Sequence, residues 1–276
     1  MAPSSSSSAR TGRKRPCGSC FRIRSTRRTC VTDRAYKTTA FVLRGRNLGE
    51  ADRIFTLFTR SRGKLDAVAK GVRRTKSHLA GRLEFLAEAE LTLHAGRSLD
   101  VITSATLLHS EWEALVEPTR FAVGSLVAEL IDAFCEPDLA QPEIYELLRR
   151  VVPALASARD ARALLPRFEL RLLDALGLAP VLDRCVVCDE AIGVEAWLDP
   201  GHGGLVCAAH RGGTPAAAWG EADVANARAL AAAPRGEVAA TMTARPAVAR
   251  AVDAFVTYHL GKRARSGGLL DELASR

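Results

Sequence analysis

The sequence predicts an α+β protein: a small N-terminal β-barrel, then an α-helical domain into which a zinc-ribbon-like module is inserted. Three observations carry that prediction. Between residue 36 and about residue 110 the apolar residues fall in short, period-two runs broken by turn signals. Beyond Trp112 the apolar spacing changes to three and four. Inside that helical part, Cys185-Val186-Val187-Cys188 and Cys207-Ala208-Ala209-His210 present two pairs of metal-type ligands eighteen residues apart.

The barrel elements come in order. Thr38 to Leu43 is a β-branched and aromatic run, followed by a predicted loop over Gly45–Gly49. Arg53 to Thr59 is a second strand, Ser61-Arg62-Gly63 a turn, and Lys64 to Ala69 a third strand. From Glu84 to Leu93 alternation is clean: Phe85, Ala87, Ala89, Leu91 and Leu93 share one side, and Glu84, Glu88, Glu90 and Thr92 the other. His94-Ala95-Gly96-Arg97 turns the chain into a fifth strand, Asp100 to Leu108. Five short strands in this length suit a closed barrel, and an OB-fold fits, although periodicity alone leaves an SH3-like barrel open.

Charge is distributed unevenly over the 276 residues, whose formal net charge is +8. Residues 36–82 hold twelve Lys and Arg against three acids (Glu50, Asp52, Asp66), while residues 83–276 carry eighteen basic and twenty-seven acidic side chains. A basic front on an acidic remainder attracts polyanions to one face. Arg44, Arg46 and Arg53 surround the first predicted loop, and Arg60, Arg62 and Lys64 the second. Lys70, Arg73, Arg74, Lys76 and Arg82 line the stretch before the fourth strand. Cations bunched at loop tips contact phosphates without reading bases, so the expected binding is electrostatic and salt-sensitive. Phe41, Phe55, Phe58 and Phe85 belong to strand patterns and read as core; Tyr36 is the free aromatic candidate for stacking.

The helical domain begins with an apolar stripe through Phe121, Leu126, Val127, Leu130, Ile131 and Phe134. A second helix follows Pro142 through Ile144, Leu148 and Val152; a third runs from Leu164 to Leu176, with Gly177 as its cap and Pro180 beyond. Ala222–Ala233 and Val248–Leu260 are two further helices. Cys135 lies on an apolar stripe and reads as a small buried hydrophobe.

Zn²⁺ takes four thiolate or imidazole ligands in structural sites, and a CxxC turn offers two sulfurs to one ion. Cys185, Cys188, Cys207 and His210 are the expected set, with His202 a less regular alternative for the fourth position. Gly193, Pro200, Gly201, Gly203 and Gly204 suit the loops of a ribbon. Four protein ligands leave no open position for water, which argues for one structural ion. His109-Ser110-Glu111 with Cys185 and Cys188 superficially matches the HxE plus CxxC of zinc deaminases, but the gap is over seventy residues and Arg184 stands where proline is expected. No GxxxxGK[ST] loop is present, and His78, His94 and His259 sit in no nucleophile constellation. The sequence reads as a protein without enzymatic activity.

Mean hydropathy is +0.01, and no apolar run approaches the roughly 18 residues of a membrane span, so no membrane role is expected. Residues 1–35 combine Ser4–Ser8 with nine Lys and Arg and one acid, a composition that predicts disorder. An over-long gene model, a genuine basic tail and a targeting segment all fit it. Cys17 and Cys20 lie in this stretch without a second ligand pair and read as incidental.

Several segments resemble the RecO family of bacterial recombination mediators. They are Tyr36-Lys37-Thr38-Thr39-Ala40-Phe41-Val42-Leu43 with Gly49-Glu50-Ala51-Asp52-Arg53, Ala69-Lys70-Gly71-Val72-Arg73-Arg74 with Ser77 to Leu83, and Ala128-Glu129-Leu130. Arg167-Phe168-Glu169-Leu170-Arg171-Leu172-Leu173, Leu176-Gly177, Pro180 and Asp183-Arg184-Cys185 are similar to that family's most recognisable stretch. The resemblance runs from about residue 36 to 262.

It implies an N-terminal OB-fold and a helical domain with a zinc module. It also implies binding of single- and double-stranded DNA, annealing of complementary strands, and work with RecR to load RecA onto strands coated by single-strand-binding protein. That role belongs to the recombinational, RecF-type repair pathway, in the bacterial cytoplasm at the nucleoid. The DNA-contacting role carries over to Arg44, Arg46, Lys70, Arg73, Arg74, Lys76 and Arg82, and the zinc role to Cys185, Cys188, Cys207 and His210, the last standing where the family more often has cysteine. A zinc-ribbon adaptor that docks proteins and touches DNA incidentally is the rival reading; a zinc hydrolase of nucleic acid is a second.

Overall fold

A computed structural model describes residues 35–213, 217–232 and 243–274. The expected disorder of residues 1–34, and Cys17 and Cys20 with it, lies outside the described residues. Five strands come first: β1 (Ala35–Leu48), β2 (Asp52–Thr59), β3 (Gly63–Ala69), β4 (Glu88–His94) and β5 (Asp100–His109). They close into a barrel in the order β1-β2-β3-β5-β4, antiparallel except for the parallel β3–β5 pair. This is an OB-like arrangement.

β1 is longer than its apolar run because it serves two neighbours. Its first half pairs with β4, from Ala35 opposite His94 to Phe41 opposite Glu88. Its second half pairs with β2, with a register shift between Val42 and Arg44. The predicted Gly45–Gly49 loop is therefore mostly strand, and Arg44 and Arg46 lie on it rather than at a loop tip. β1 is also apolar on both faces. Ala40 and Val42 enter the barrel interior with Phe55, Leu57, Leu91 and Leu93. Phe41 and Leu43, on the opposite face, join the core of the helical part together with Phe58.

The fourth strand begins at Glu88, not Glu84. Leu86 adopts φ 56°, which breaks the ladder and sends its side chain into the helical core, while the Phe85 ring packs 5.3 Å from that of Phe121. Alternation alone could not show that break, since Phe85 and Ala87 keep the period of the strand.

A short α1 (Trp112–Leu115) leads to α2 (Pro118–Phe134), α3 (Pro142–Ser157), a 3-10 turn (Ala161–Leu164) and α4 (Leu165–Ala175). Proline stands in the first turn of each of the last three helices, where its missing N–H costs nothing. The Glu117 carboxylate caps α2 by accepting from the N–H groups of Thr119 and Arg120 at 2.9 and 2.8 Å. Gly177 ends α4 with φ 73°, as its position predicted, and Leu178 N–H donates to Leu173 O at 2.8 Å. α5 (Glu221–Ala232) and α6 (Pro246–Leu260) follow; Ala233 of the expected helix lies outside the described residues. A last helix, α7 (Arg265–Ala274), had no sequence forecast. Gly267-Gly268 weakens its helical signal, and its start is fixed from a distance: Glu129 of α2 accepts from the N–H groups of Arg265 and Ser266, both at 2.9 Å.

Between α4 and α5 lies a small sheet of β6 (Glu195–Asp199), β7 (Gly204–Cys207) and β8 (Trp219–Gly220), in the order β7-β6-β8. One side packs on the helices through Ala196, Leu198, Leu205 and Trp219. The other side forms a separate apolar cluster of Cys185, Trp197 and Val206.

Candidate nucleic-acid interface and metal-binding cluster

The stretch between β3 and β4 is a chain of turns rather than a helix or a strand. Its N–H groups step back along it, Arg74 to Gly71 O, Ser77 to Arg74 O, Ala80 to Ser77 O and Arg82 to Leu79 O. Val72, Leu79 and Leu83 are buried in the barrel core and pin the stretch at three points. The Asp52 carboxylate holds its entrance by accepting from Gly71 N–H at 2.7 Å. Between the pins, Lys70, Arg73, Arg74, Lys76 and Arg82 are exposed. Arg73 reaches Gly49 O at 3.3 Å and Arg82 reaches Ala105 O at 3.0 Å. Among the described residues, no carboxylate makes an ion pair with any of these five cations.

The other basic residues of the barrel are placed differently. Counting only Glu50, Asp52 and Asp66 as counter-charges understates what the fold supplies, because α2, the loop after it and α3 bring further carboxylates to the barrel wall. Arg44 meets Asp132 at 3.0 Å, and Lys64 meets the same carboxylate at 3.4 Å. Arg60 pairs with Glu146 at 3.6 Å, and Arg62 with Asp100 and Asp138. Arg46 pairs with Asp66 at 3.4 Å. Of the seven cations expected to meet DNA, five therefore pair with no carboxylate among the described residues and lie on one stretch, while Arg44 and Arg46 are engaged. Sequence could not separate them, since Asp132 lies more than eighty residues beyond Arg44 and Asp66 reaches Arg46 only through the pairing of β1, β2 and β3.

Tyr36 is not free for stacking. Its hydroxyl donates to Asp100 and accepts from Arg62 at 2.7 Å, with the guanidinium 5.2 Å from the ring centroid. Burial, then the Asp100 carboxylate, push its phenol well above the usual range. Phe41, Phe55 and Phe58 are buried, as their strand pattern suggested, whereas Phe85 lies ahead of β4 and is half-buried against Phe121.

The four zinc-type residues converge. One ligand atom from each of Cys185, Cys188, Cys207 and His210 lies within 4.8 Å of all the others. His210 directs Nδ1 inward, 3.2 Å from Cys207 Sγ and 3.9 Å from Cys185 Sγ. Tetrahedral Zn²⁺ at its ordinary bond lengths would hold such atoms roughly 3.5 Å apart, so the donor set and spacing fit that ion. The CxxC turn is built for a thiolate. Burial opposes ionisation of Cys185, but N–H groups of Cys188, Cys207 and Val187 aimed at its sulfur outweigh it and bring the thiol down to about 6. Close packing accompanies it: a side chain at Gly204 would stand 2.6 Å from Val181 O. His202, the alternative ligand, is outside the cluster and pairs with Asp199 at 3.1 Å. The Arg211 guanidinium lies over Trp197, 5.3 Å from the ring centroid, and was not singled out by sequence. His109 and Glu111 pair with each other at 2.9 Å, away from the cysteines. Cys135 is buried at the end of α2, with its thiol pushed up to about 12 by burial.

Two family models cover this architecture. Recombination protein O N terminal matches residues 34–111, and Recombination protein O C terminal matches residues 116–267. The chain belongs to the RecO family. It is similar over most of its length to the DNA repair protein RecO of Anaeromyxobacter sp. (strain Fw109-5), 34% identical over 246 residues that make up 86% of this chain and 96% of that protein. It also matches the DNA repair protein RecO of Heliobacterium modesticaldum, 39% identical over 186 residues, or 64% of this chain and 67% of the relative. The DNA repair protein RecO of Nocardioides sp. is 37% identical over 182 residues, 64% of this chain and 74% of its own length. Family membership assigns the chain to DNA repair and recombination, in a family of mediators that generally lack enzymatic activity. Among the described residues, no helix is long and apolar enough to cross a membrane.

Proposed function

We propose that this RecO-family chain binds single- and double-stranded DNA through the stretch between β3 and β4 and anneals complementary strands there. The observation that carries the reading is the set of five exposed cations, Lys70, Arg73, Arg74, Lys76 and Arg82, held by buried anchors and, among the described residues, ion-paired with no carboxylate. Phosphate is the counter-charge such a set lacks, and each contact formed releases counterions. Annealing then needs no covalent step. Two strands repel through their phosphates, the arginines screen that repulsion, and base pairing supplies the driving force. Arg44 and Arg46 contribute less, because binding phosphate would first break their pairs with Asp132 and Asp66.

The family supports the rest of the reading. The chain works with RecR to load RecA onto strands coated by single-strand-binding protein, with RecF in the same pathway, in the bacterial cytoplasm at the nucleoid. Cys185, Cys188, Cys207 and His210 hold one structural Zn²⁺, which ties the turn after α4 to the β6–β7 hairpin. The test is annealing of two complementary oligonucleotides by the full chain across a salt titration, with and without the double substitution Arg73→Ala and Arg74→Ala. Acceleration that fades with salt and falls in the variant is expected. Equal annealing by the variant refutes the assignment, and no annealing by the zinc-loaded, folded parent favours a protein-docking adaptor.

A further inference from the structure

Among the described residues twelve large hydrophobic ones are exposed, and five of them fall within residues 107–121: Leu107, Leu108, Trp112, Val116 and Phe121. They follow the chain out of β5, along α1 and into the first turn of α2. Trp112 and Val116 are four residues apart on one side of the α1 turn. Two contacts hold the exit of β5 and the start of α2 against the loop before β4: Ser110 donates to Glu84 at 3.0 Å, and the Phe121 ring packs 5.3 Å from Phe85. Both ends of this run are thus held at the loop before β4, and the five exposed apolar residues fall within fifteen consecutive positions of it rather than singly over the surface.

Its electrostatic setting is the reverse of the stretch before it. From Leu83 to Phe121 the chain carries seven acids and two basic residues: Arg97, in the β4–β5 turn at the far end of β5, and Arg120, whose guanidinium donates to Ala158 O. Glu90, Glu113 and Glu117 are exposed, and Glu84 and Glu111 half-buried.

We propose that this patch is a docking surface for a protein partner that presents an apolar ridge flanked by lysine or arginine. The apolar residues supply the contact area, and the acidic rim selects the sign of the partner's flanks. A second copy of the chain fits poorly, because in its cation-rich stretch the large apolar residues Val72, Leu79 and Leu83 are buried. The chain's own residues 1–34 are basic, but Phe21, Ile23 and Val31 are too few to cover five large side chains.

The test uses the full chain and three labelled peptides of about 18 residues, a length that gives several helical turns. The first has a leucine stripe flanked by lysine, the second the same stripe flanked by glutamate, and the third alanine in place of leucine with lysine flanks. Fluorescence anisotropy should show binding of the first alone, weakened about tenfold or more by Val116→Asp and, separately, by Glu113→Lys, the scale of a side chain central to an interface. Both positions are exposed, so circular dichroism should be unchanged, and DNA annealing should be unaffected. That last readout separates failure here from failure of the DNA-binding reading. No binding of the first peptide, equal binding of the second, or indifference to both substitutions overturns the proposal. So does a dimer that Val116→Asp dissolves, or hydrogen-exchange protection of residues 1–34 that it releases, since each gives the patch another occupant.

Discussion

Arg44 on β1 and Asp132 on α2 meet at 3.0 Å across the seam between barrel and helices, and Lys64 on β3 shares the same carboxylate. The pair sorts the basic side chains of the barrel into two kinds. Some hold the helical part in place, and others face solvent with their charge unspent.

That division predicts different outcomes for two arginine substitutions. Arg73→Ala with Arg74→Ala should lower the slope of log affinity against log salt on duplex DNA by about 2, roughly 0.9 for each lost phosphate contact. Arg44→Ala should leave the slope unchanged and cost only about 0.5 kcal/mol of stability, as for other exposed ion pairs. A slope that falls as far for Arg44→Ala would show that the seam cations reach DNA too.

The carboxylate of Glu129 caps α7 from α2, and its ionisation gives the contact a pH dependence. Burial works against the charged form, but the N–H groups of Ser266 and Arg265 prevail and hold the carboxyl below its usual range. A group depressed in the folded state contributes stability above its unfolded pKa and loses it as pH falls through the folded one. Glu129→Ala should therefore cost about 1 kcal/mol at pH 7, the scale of a lost helix cap. The difference from the parent should shrink as the medium is acidified through the carboxylate range. Denaturant titrations at several pH values measure both, and a gap that stays constant with pH would exclude the charged cap.

The elements that sequence revealed were those whose information is local. Gly177 announced the end of α4, Pro142 the start of α3, and the two ligand pairs the metal cluster, because each depends on residues a few positions apart. What stayed hidden depended on distant partners. The break at Leu86 is set by the helical core that receives its side chain, and the start of α7 by a carboxylate 136 residues earlier. Tyr36 looked available for stacking because nothing near it in sequence points to Asp100 or Arg62. The cations of the barrel were legible as a group, but the choice among them depended on acids that only the fold brings near.

Metal analysis should find one zinc per chain, lost in Cys188→Ser and His210→Ala and kept in His202→Ala, whose imidazole is occupied by Asp199. Chelation should also change tryptophan fluorescence, since Trp197 shares an apolar cluster with Cys185. Zinc retention by His210→Ala would show that another group completes the shell.

Gly63 begins β3 at φ 68°, and a methyl group there would stand 1.9 Å from Leu139 O, in the loop that follows α2. Gly63→Ala combines a left-handed backbone with a backbone collision and should cost about 2 kcal/mol or more. Chemical denaturation that finds it neutral would mean that the loop moves aside freely.

The two family models part between residues 111 and 116, yet the apolar interior does not part there. Phe41, Leu43 and Phe58 leave the barrel to pack among the helices, and the Phe41 ring stands 5.2 Å from Tyr145. Cut at that boundary, either half would present raw aromatic surface to water. Ancestry can exchange halves between relatives only if the graft carries matching side chains on both sides of the join. The small sheet shares the obligation on one side only: Ala196, Leu198, Leu205 and Trp219 must match the helices, while Cys185, Trp197 and Val206 on the other answer only to one another.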